Sequence, residues 1–250
     1  MSRPARLMTV RKKLVALEGR AGRGVAPFGD PRIDSCLPGG GLALGCWHEA
    51  AGEGMEIETA AAAGAFIAAV AAPLAARGAV VWVMRRRDLY APGLAGLGFP
   101  AERLIQVRAP SEAEALAALE DALGAAGVIA AIGEVEDLDL TAGRRLQLAC
   151  ERHGAIGFVI RRRLFGGGAA ASGLAGAAAT RWRIASAPSQ PALGEPGLGR
   201  PRWRVELERC RGGRTGAWIM EKSDGALPLR VVAKLGDRQL DTPQSLRLAG

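Results

Sequence analysis

Residues 38–59 have the layout of a phosphate-binding loop but lack its chemistry. A Gly-rich turn, an apolar segment, a second Gly-containing turn and an Ala-rich segment follow one another, as in a strand–loop–helix nucleotide site. Such a loop has a first glycine, four further residues and then Gly-Lys-Ser/Thr, whereas this stretch contains no lysine. Carboxylates stand where phosphates would lie. The residues of this degenerate nucleotide loop are Gly52, Glu53, Gly54, Glu56, Glu58 and Thr59.

Carboxylates at the start of a helix change what the loop can bind. They satisfy the free N–H groups and the helix dipole, and they repel a triphosphate. We therefore predict no catalytic residues, no ATP hydrolysis and no cofactor. In an alternative interpretation the backbone of 52–55 still cradles a phosphate and a carboxylate after a later strand holds magnesium. That atypical ATPase would use Glu134, Glu136 or Asp137.

Cysteine and histidine spacing does not predict a metal site. The chain has two histidines, and its four cysteines form no Cys-x-x-Cys pair. We expect structural roles for His48, in a buried strand, and for His153, at a helix end. Reduced and mostly buried thiols are expected at Cys36, Cys46, Cys150 and Cys210.

Two arginine triplets follow apolar segments that read as strands. Arg85, Arg86 and Arg87 come after the first, and Arg161, Arg162 and Arg163 after the second. The carboxyl ends of parallel strands share one edge of a sheet, so six guanidinium groups there would form an anion-binding surface. In the other interpretation the triplets form structural ion pairs with Glu134, Glu136, Asp137 and Asp139.

A third arginine pair lies in a predicted hairpin. Arg211 and Arg214 flank Gly212 and Gly213, which would provide the positive φ angles of a tight turn. We predict structural glycines here, and arginines that contact DNA or a protein partner if they have a function.

The elements that position these residues alternate between strand and helix. This spacing indicates an α/β fold with a mostly parallel sheet and helices on both faces. Continuous apolar runs at 79–84, 128–133 and 156–160 predict strands buried on both faces at the sheet centre. Alternating runs at 180–185, 203–209 and 216–220 predict antiparallel strands added at one edge. Further strands are predicted at 42–50, 103–108 and 229–232. Helices are predicted at 58–77, in the segment that Ser111 caps, and from a cap at Thr141 to His153.

Length and charge bound the organisation of the chain. The 250 residues, with a net charge of +8, divide into a basic helical arm at 1–24, a main domain at 25–220 and a strand with a tail at 221–250. The basic surface suits nucleic acid or an acidic protein. No apolar run reaches membrane-spanning length and the basic N-terminus lacks an apolar core, so we predict a cytoplasmic protein without membrane contact.

Three stretches resemble the ImuA family, whose fold is RecA-like. They are 89–98 with Arg103 and Leu104, 138–149, and 203–207 with 211–218; the resemblance spans 28–235. It implies an accessory role in SOS-induced translesion synthesis and mutagenesis. The implied partners are an ImuB-like relative of Y-family polymerases, an error-prone replicative-type polymerase, RecA and single-stranded DNA. The third stretch also resembles the SulA family, which leaves an SOS inhibitor of the tubulin-like division protein as an alternative.

Overall fold

The computed structural model describes residues 24–162, 178–191, 194, 196–223 and 229–235. The side chains of 56–60 and 234 also lie outside this description. Predictions for the arm at 1–24, except Gly24, and for Arg163 therefore fall outside the described residues, as do those for the side chains of Glu56, Glu58 and Thr59.

A two-stranded antiparallel sheet and a nine-stranded sheet organise the described chain. Strands β1 (Val25–Ala26) and β2 (Leu42–Ala43) form the small one. The elements of the large sheet and its helices are, in order, β3 (Trp47–Gly52), α2 (Glu56–Ala75), β4 (Ala79–Met84), α3 (Ala91–Ala95), β5 (Leu104–Arg108), α4 (Glu112–Leu123), β6 (Val128–Val135), α5 (Leu140–His153), β7 (Ile156–Arg161), β8 (Thr180–Ala187), β9 (Arg202–Cys210), β10 (Gly216–Lys222) and β11 (Leu229–Leu235). A short helix α1 (Pro31–Asp34) precedes them.

The sheet order confirms the predicted centre. From one edge to the other the strands run β11, β10, β9, β8, β3, β7, β6, β4 and β5. The three continuous apolar strands β7, β6 and β4 are neighbours, and each pairs in parallel with the next. Strand β8 pairs in parallel with β3, and β9, β10 and β11 continue from it as antiparallel strands. This gives the antiparallel extension at one edge that the alternating patterns predicted.

Helices cover both faces of the sheet, which explains the apolar runs. Helix α2 packs Phe66 against Trp182 of β8 and Trp203 of β9, with ring centroids 6.4 Å and 6.2 Å away. Helices α4 and α5 cover the opposite face around Leu119, Leu123 and Leu146. The absence of a side chain at Gly133 lets α4 approach β6, because a Cβ there would lie 2.5 Å from a methyl of Leu119. Among the described helices, none combines the length and apolar character needed to cross a bilayer.

Two local predictions are wrong. The expected single strand over 42–50 is divided by a turn in which Gly45 has a φ of 68°, so that Leu42 and Ala43 pair with β1 while β3 enters the main sheet. Helix α5 is capped by Asp139, not Thr141, because Asp139 Oδ1 accepts the Ala142 amide at 2.7 Å. The Ser111 cap of α4 is confirmed, since its hydroxyl accepts the Glu114 amide at 3.2 Å.

Candidate functional site

The degenerate nucleotide loop is a three-residue connection. Strand β3 ends at Gly52 and α2 begins at Glu56, so that only residues 53–55 separate them. The Glu53 amide donates to the Ile184 carbonyl at 3.0 Å, and its carboxylate forms an ion pair with Arg204. This hydrogen bond raises the pKa of Arg204. A phosphate-binding loop aims several free N–H groups at one anion, and here the Glu53 amide is already used within the sheet.

The structure places the described arginines of both triplets at one edge of the sheet. Arg85 and Arg86 follow β4, while Arg161 ends β7 and Arg162 follows it. Strand β6 lies between β4 and β7, and its last residue, Val135, is opposite Arg161. Strands β4 and β6 are adjacent, but the chain leaves β4 toward β5 on one side and leaves β6 toward β7 on the other. Such a reversal is a topological switch point, and α/β sheets form ligand crevices at the carboxyl ends of the strands there. A cleft of about 130 Å³ there is lined in part by Arg85, Arg86, Glu134 and Arg162.

Arg162 forms the centre of a half-buried ion-pair cluster. Its Nη1 lies 2.6 Å from Glu134 Oε2, and its two Nη atoms lie 3.0 and 2.7 Å from the carboxylate oxygens of Asp88. Trp82 Nε1 donates to the other oxygen of Glu134 at 2.8 Å. Burial by itself would lower the pKa of Arg162, because it disfavours the charged form. The hydrogen bonds to Asp88 and Glu134 have the larger effect, so the pKa of Arg162 is raised. The hydrogen bond from Arg162 lowers the pKa of Asp88.

Arg85 and Arg161 are also paired with carboxylates. Arg85 Nη1 lies 3.1 Å from Glu112 and 3.0 Å from Glu136, and Arg161 Nη2 lies 2.8 Å from Asp137. The ion-pair interpretation is therefore confirmed for Arg85, Arg161 and Arg162. Asp139 caps α5 instead of joining the cluster. We call this group the inner cluster: Arg85, Arg161, Arg162, Asp88, Glu112, Glu134, Glu136 and Asp137.

The inner cluster holds five carboxylates against three arginines, so its positive charge is neutralised. The exposed cationic groups lie further out, at the ends of β4 and β5. Arg108 is exposed and lies opposite Met84, the last residue of β4. We call Arg86, Arg87 and Arg108, all exposed, the outer rim.

Arg108 and Tyr90 were not among the residues predicted from the sequence. Like the triplets, Arg108 follows a predicted strand, but it is a single arginine and its segment is less apolar, so it gave no comparable signal. Tyr90, the single tyrosine of the chain, is 73% exposed and immediately precedes α3.

The hairpin arginines lie at the opposite end of the strands, where the parallel strands begin. Thr180, at the start of β8, pairs with Cys210, so the turn after β9 is far from the carboxyl ends of the parallel strands. Arg214 donates from its amide to the Cys36 carbonyl at 2.9 Å and from Nη2 to the Ser35 carbonyl at 3.1 Å. The structure therefore does not bring Arg211 and Arg214 together with the triplets.

The two hairpin glycines have different roles. Gly212 has the predicted positive φ, 73°. Gly213 does not belong to the positive-φ glycines, and the prediction is wrong for it. Position 213 needs a glycine because neighbouring atoms lie too close to it for a side chain. A Cβ there would lie 2.3 Å from the Cys36 carbonyl oxygen and 2.5 Å from Cys210 Sγ.

His48 is a buried structural residue, as predicted. Its Nδ1 lies 2.7 Å from Thr180 Oγ1 and its Nε2 lies 3.0 Å from the Ala43 carbonyl. Trp182 Nε1 donates to the same Thr180 hydroxyl at 2.6 Å. Burial lowers the pKa of His48 to about 4, so the ring is neutral at pH 7.

Sequence comparison decides the family. The chain is 56% identical over 234 residues to the protein ImuA of Caulobacter vibrioides strain NA1000 / CB15N, covering 90% of this chain and 96% of that protein. ImuA of strain ATCC 19089 / CIP 103742 / CB 15 of the same species matches to the same extent. The chain belongs to the ImuA family. The predicted membership of the ImuA family is thereby confirmed, although no protein-family model matches the chain.

Structural comparison supports the fold independently of sequence. The crystal structure of the RadB recombinase superposes with a TM-score of 0.56 at 16% identity, covering 79% of this chain and 96% of RadB. The ImuA family member described here thus has a RecA-like fold. Its first ImuA-like stretch contains Tyr90 and α3, beside the outer rim.

Proposed function

We propose that this protein is a non-enzymatic accessory protein of SOS-induced translesion DNA synthesis and mutagenesis. The observation that carries the proposal is the 56% identity to ImuA over 90% of the chain. The protein acts with an ImuB-like relative of Y-family polymerases and with an error-prone replicative-type polymerase, in the cytoplasm. RecA is a further partner in this proposal.

The adaptor role is supported by the state of the nucleotide loop. Its connection is short, the Glu53 amide and carboxylate are both engaged, and no lysine accompanies it. An adaptor needs the rigid sheet and its exposed edges, and it does not need hydrolysis.

The experiment uses the host from which the gene derives. Deleting the gene should abolish most damage-induced mutation while leaving undamaged growth normal, and the intact gene should restore it. In parallel, the tagged protein should co-purify with the ImuB-like protein from damaged cells. Unchanged mutation frequency in the deletion strain would refute the proposal. Co-purification with the tubulin-like division protein, together with filamentation on overexpression, would favour the division-inhibitor alternative.

Single-stranded DNA is the proposed nucleic-acid partner, and its contact is the outer rim. An Arg161/Arg162/Arg163→Ala variant would not test this contact, because Arg161 and Arg162 have side chains only 4% and 15% exposed and hold the inner cluster together. Their removal would disturb folding. Variants of Arg87 and Arg108 separate DNA contact from stability.

A further inference from the structure

We propose that Tyr90 stacks against a base of single-stranded DNA while Arg87 and Arg108 contact neighbouring phosphates. The inference rests on the single-stranded DNA contact of the proposed function and names the side chains that make it. The site lies on the surface between the end of β4, the start of α3 and the end of β5.

Tyr90 is presented as a supported aromatic surface. Its side chain is 73% exposed, whereas tyrosine is on average a residue of intermediate burial. The ring rests against Gly93, where a Cβ would lie 3.0 Å from Tyr90 Cδ1 and 3.7 Å from Cε1. The backbone also links the two residues, since the Gly93 amide donates to the Tyr90 carbonyl at 3.0 Å. One side of the ring is thus held by α3, which leaves the remainder open to a base.

Exposed arginines lie at the strand ends that adjoin the segment of this ring, and the carboxylate of Asp88, between Arg87 and Tyr90 in the chain, is paired with Arg162. Arg87 is three residues before Tyr90, so their Cα atoms lie within about 11 Å of each other. Arg108 is on the adjacent strand, opposite Met84. The neighbouring inner cluster has five carboxylates and three arginines, a net charge of −2, and the three arginines of the outer rim bring the sum of the two groups to +1.

The composition of this surface favours DNA over a protein partner. The core of a protein interface is apolar, with aromatic residues, Met and Arg enriched in it and Lys, Glu and Asp depleted, so a protein partner would need more exposed apolar area than this surface offers. Among the described residues, the other exposed large apolar side chain of β4 and β5 is Ile105, which lies near the start of β5, three residues before Arg108, and Met55 follows β3, three strands away. An aromatic ring among arginines is the combination by which proteins bind single strands, with cations along the backbone and rings under the bases.

The test measures binding of the full-length protein to a labelled single-stranded oligothymidylate and to an oligonucleotide of equal length without bases. Tyr90→Ala should weaken binding to the thymidylate strand by roughly 5- to 150-fold, the range of one stacked base. Tyr90→Phe keeps the ring and should bind within about twofold of wild type. On the baseless strand Tyr90→Ala and wild type should bind equally, because no base is present to stack.

The arginines have a separate readout. Arg87→Ala and Arg108→Ala should each reduce the slope of log affinity against log salt by about 0.7, whereas Tyr90→Ala should leave the slope unchanged. Arg144→Ala, which removes an exposed arginine from α5, is the matched control and should behave as wild type.

Three outcomes would overturn the proposal. They are equal thymidylate binding by Tyr90→Ala and wild type, an equal loss on both strands, or no binding of single-stranded DNA by the wild-type protein. Binding of the ImuB-like protein that depends on Tyr90 without any DNA binding would assign the surface to protein instead. Loss of the DNA site would leave the accessory role intact, because mutation frequency and co-purification test that role directly.

Discussion

Asp88 and Arg162 are 74 residues apart in the sequence, yet they form a two-pronged ion pair with N–O distances of 3.0 and 2.7 Å. The pair joins the segment after β4 to the segment after β7 across the intervening strand β6. Glu134, at the end of β6, completes the connection. Three neighbouring strand ends are thus held by one guanidinium group.

Removing Glu134 should therefore destabilise the protein strongly. Its side chain is 8% exposed, and Glu134→Ala removes one of the two carboxylates that contact Arg162 together with the acceptor of the Trp82 indole N–H. Breaking a buried pair costs about 3–5 kcal/mol, which corresponds to a fall in melting temperature of about 10 °C. Glu136→Ala is the control, because that side chain is 50% exposed and its pair with Arg85 contributes at most about 1 kcal/mol. Similar melting temperatures for the two variants would contradict a supporting role for the inner cluster.

Stability should fall as pH decreases from 7 to 5 because of His48. Burial lowers its folded-state pKa to about 4, while the unfolded chain binds the proton near pH 6.5. Protonation therefore favours the unfolded state throughout this interval, by about 2 kcal/mol at pH 5. Urea denaturation at pH 7 and pH 5 measures the change in the free energy of unfolding. His48→Gln should remove most of this difference, and His153→Gln, at an exposed position, should retain it. The same pH dependence in all three proteins would count against His48 as its source.

Gly213→Val should lower the melting temperature by steric overlap. The new Cβ would lie 2.3 Å from the Cys36 carbonyl oxygen, which the hairpin cannot avoid without losing its contact with that carbonyl. Forced overpacking of this kind costs about 1–3 kcal/mol. Gly96→Ala is the control, since its Cβ would meet one carbonyl oxygen at 3.4 Å. An unchanged melting temperature for Gly213→Val would show that the hairpin is not held against the Cys36 segment.

Calorimetry should detect no saturable ATP binding at micromolar protein and nucleotide. The Glu53 carboxylate and its amide are engaged by Arg204 and Ile184, and Ile57→Lys alone should not create binding because these contacts and the flanking carboxylates remain. Micromolar ATP binding by the wild-type protein would instead support the atypical ATPase.

The sequence predicted the fold better than the site, for a physical reason. Continuous apolar runs such as 79–84 must be buried on both faces, which limits them to the sheet centre. The turn at Gly45 was missed because Leu44 and Cys46 continue the apolar pattern on either side of it.

The sequence could not predict which arginine of the inner cluster pairs with which carboxylate. Arginine and carboxylate side chains are long, and the partners of Arg162 come from two different strand ends. Tyr90 was missed since a single exposed aromatic has no periodicity. The family resemblance did include it, but without a role.

The contact of Phe66 with Trp182 and Trp203 has a practical consequence for mapping partners by deletion. One long helix shares its packing surface between the parallel strands and the antiparallel extension, so neither half retains a closed interior alone. Fragments that end before residue 180, or begin after it, should misfold and associate nonspecifically. Lost partner binding in such fragments would report damaged architecture, and only single surface substitutions in the intact chain can locate a contact.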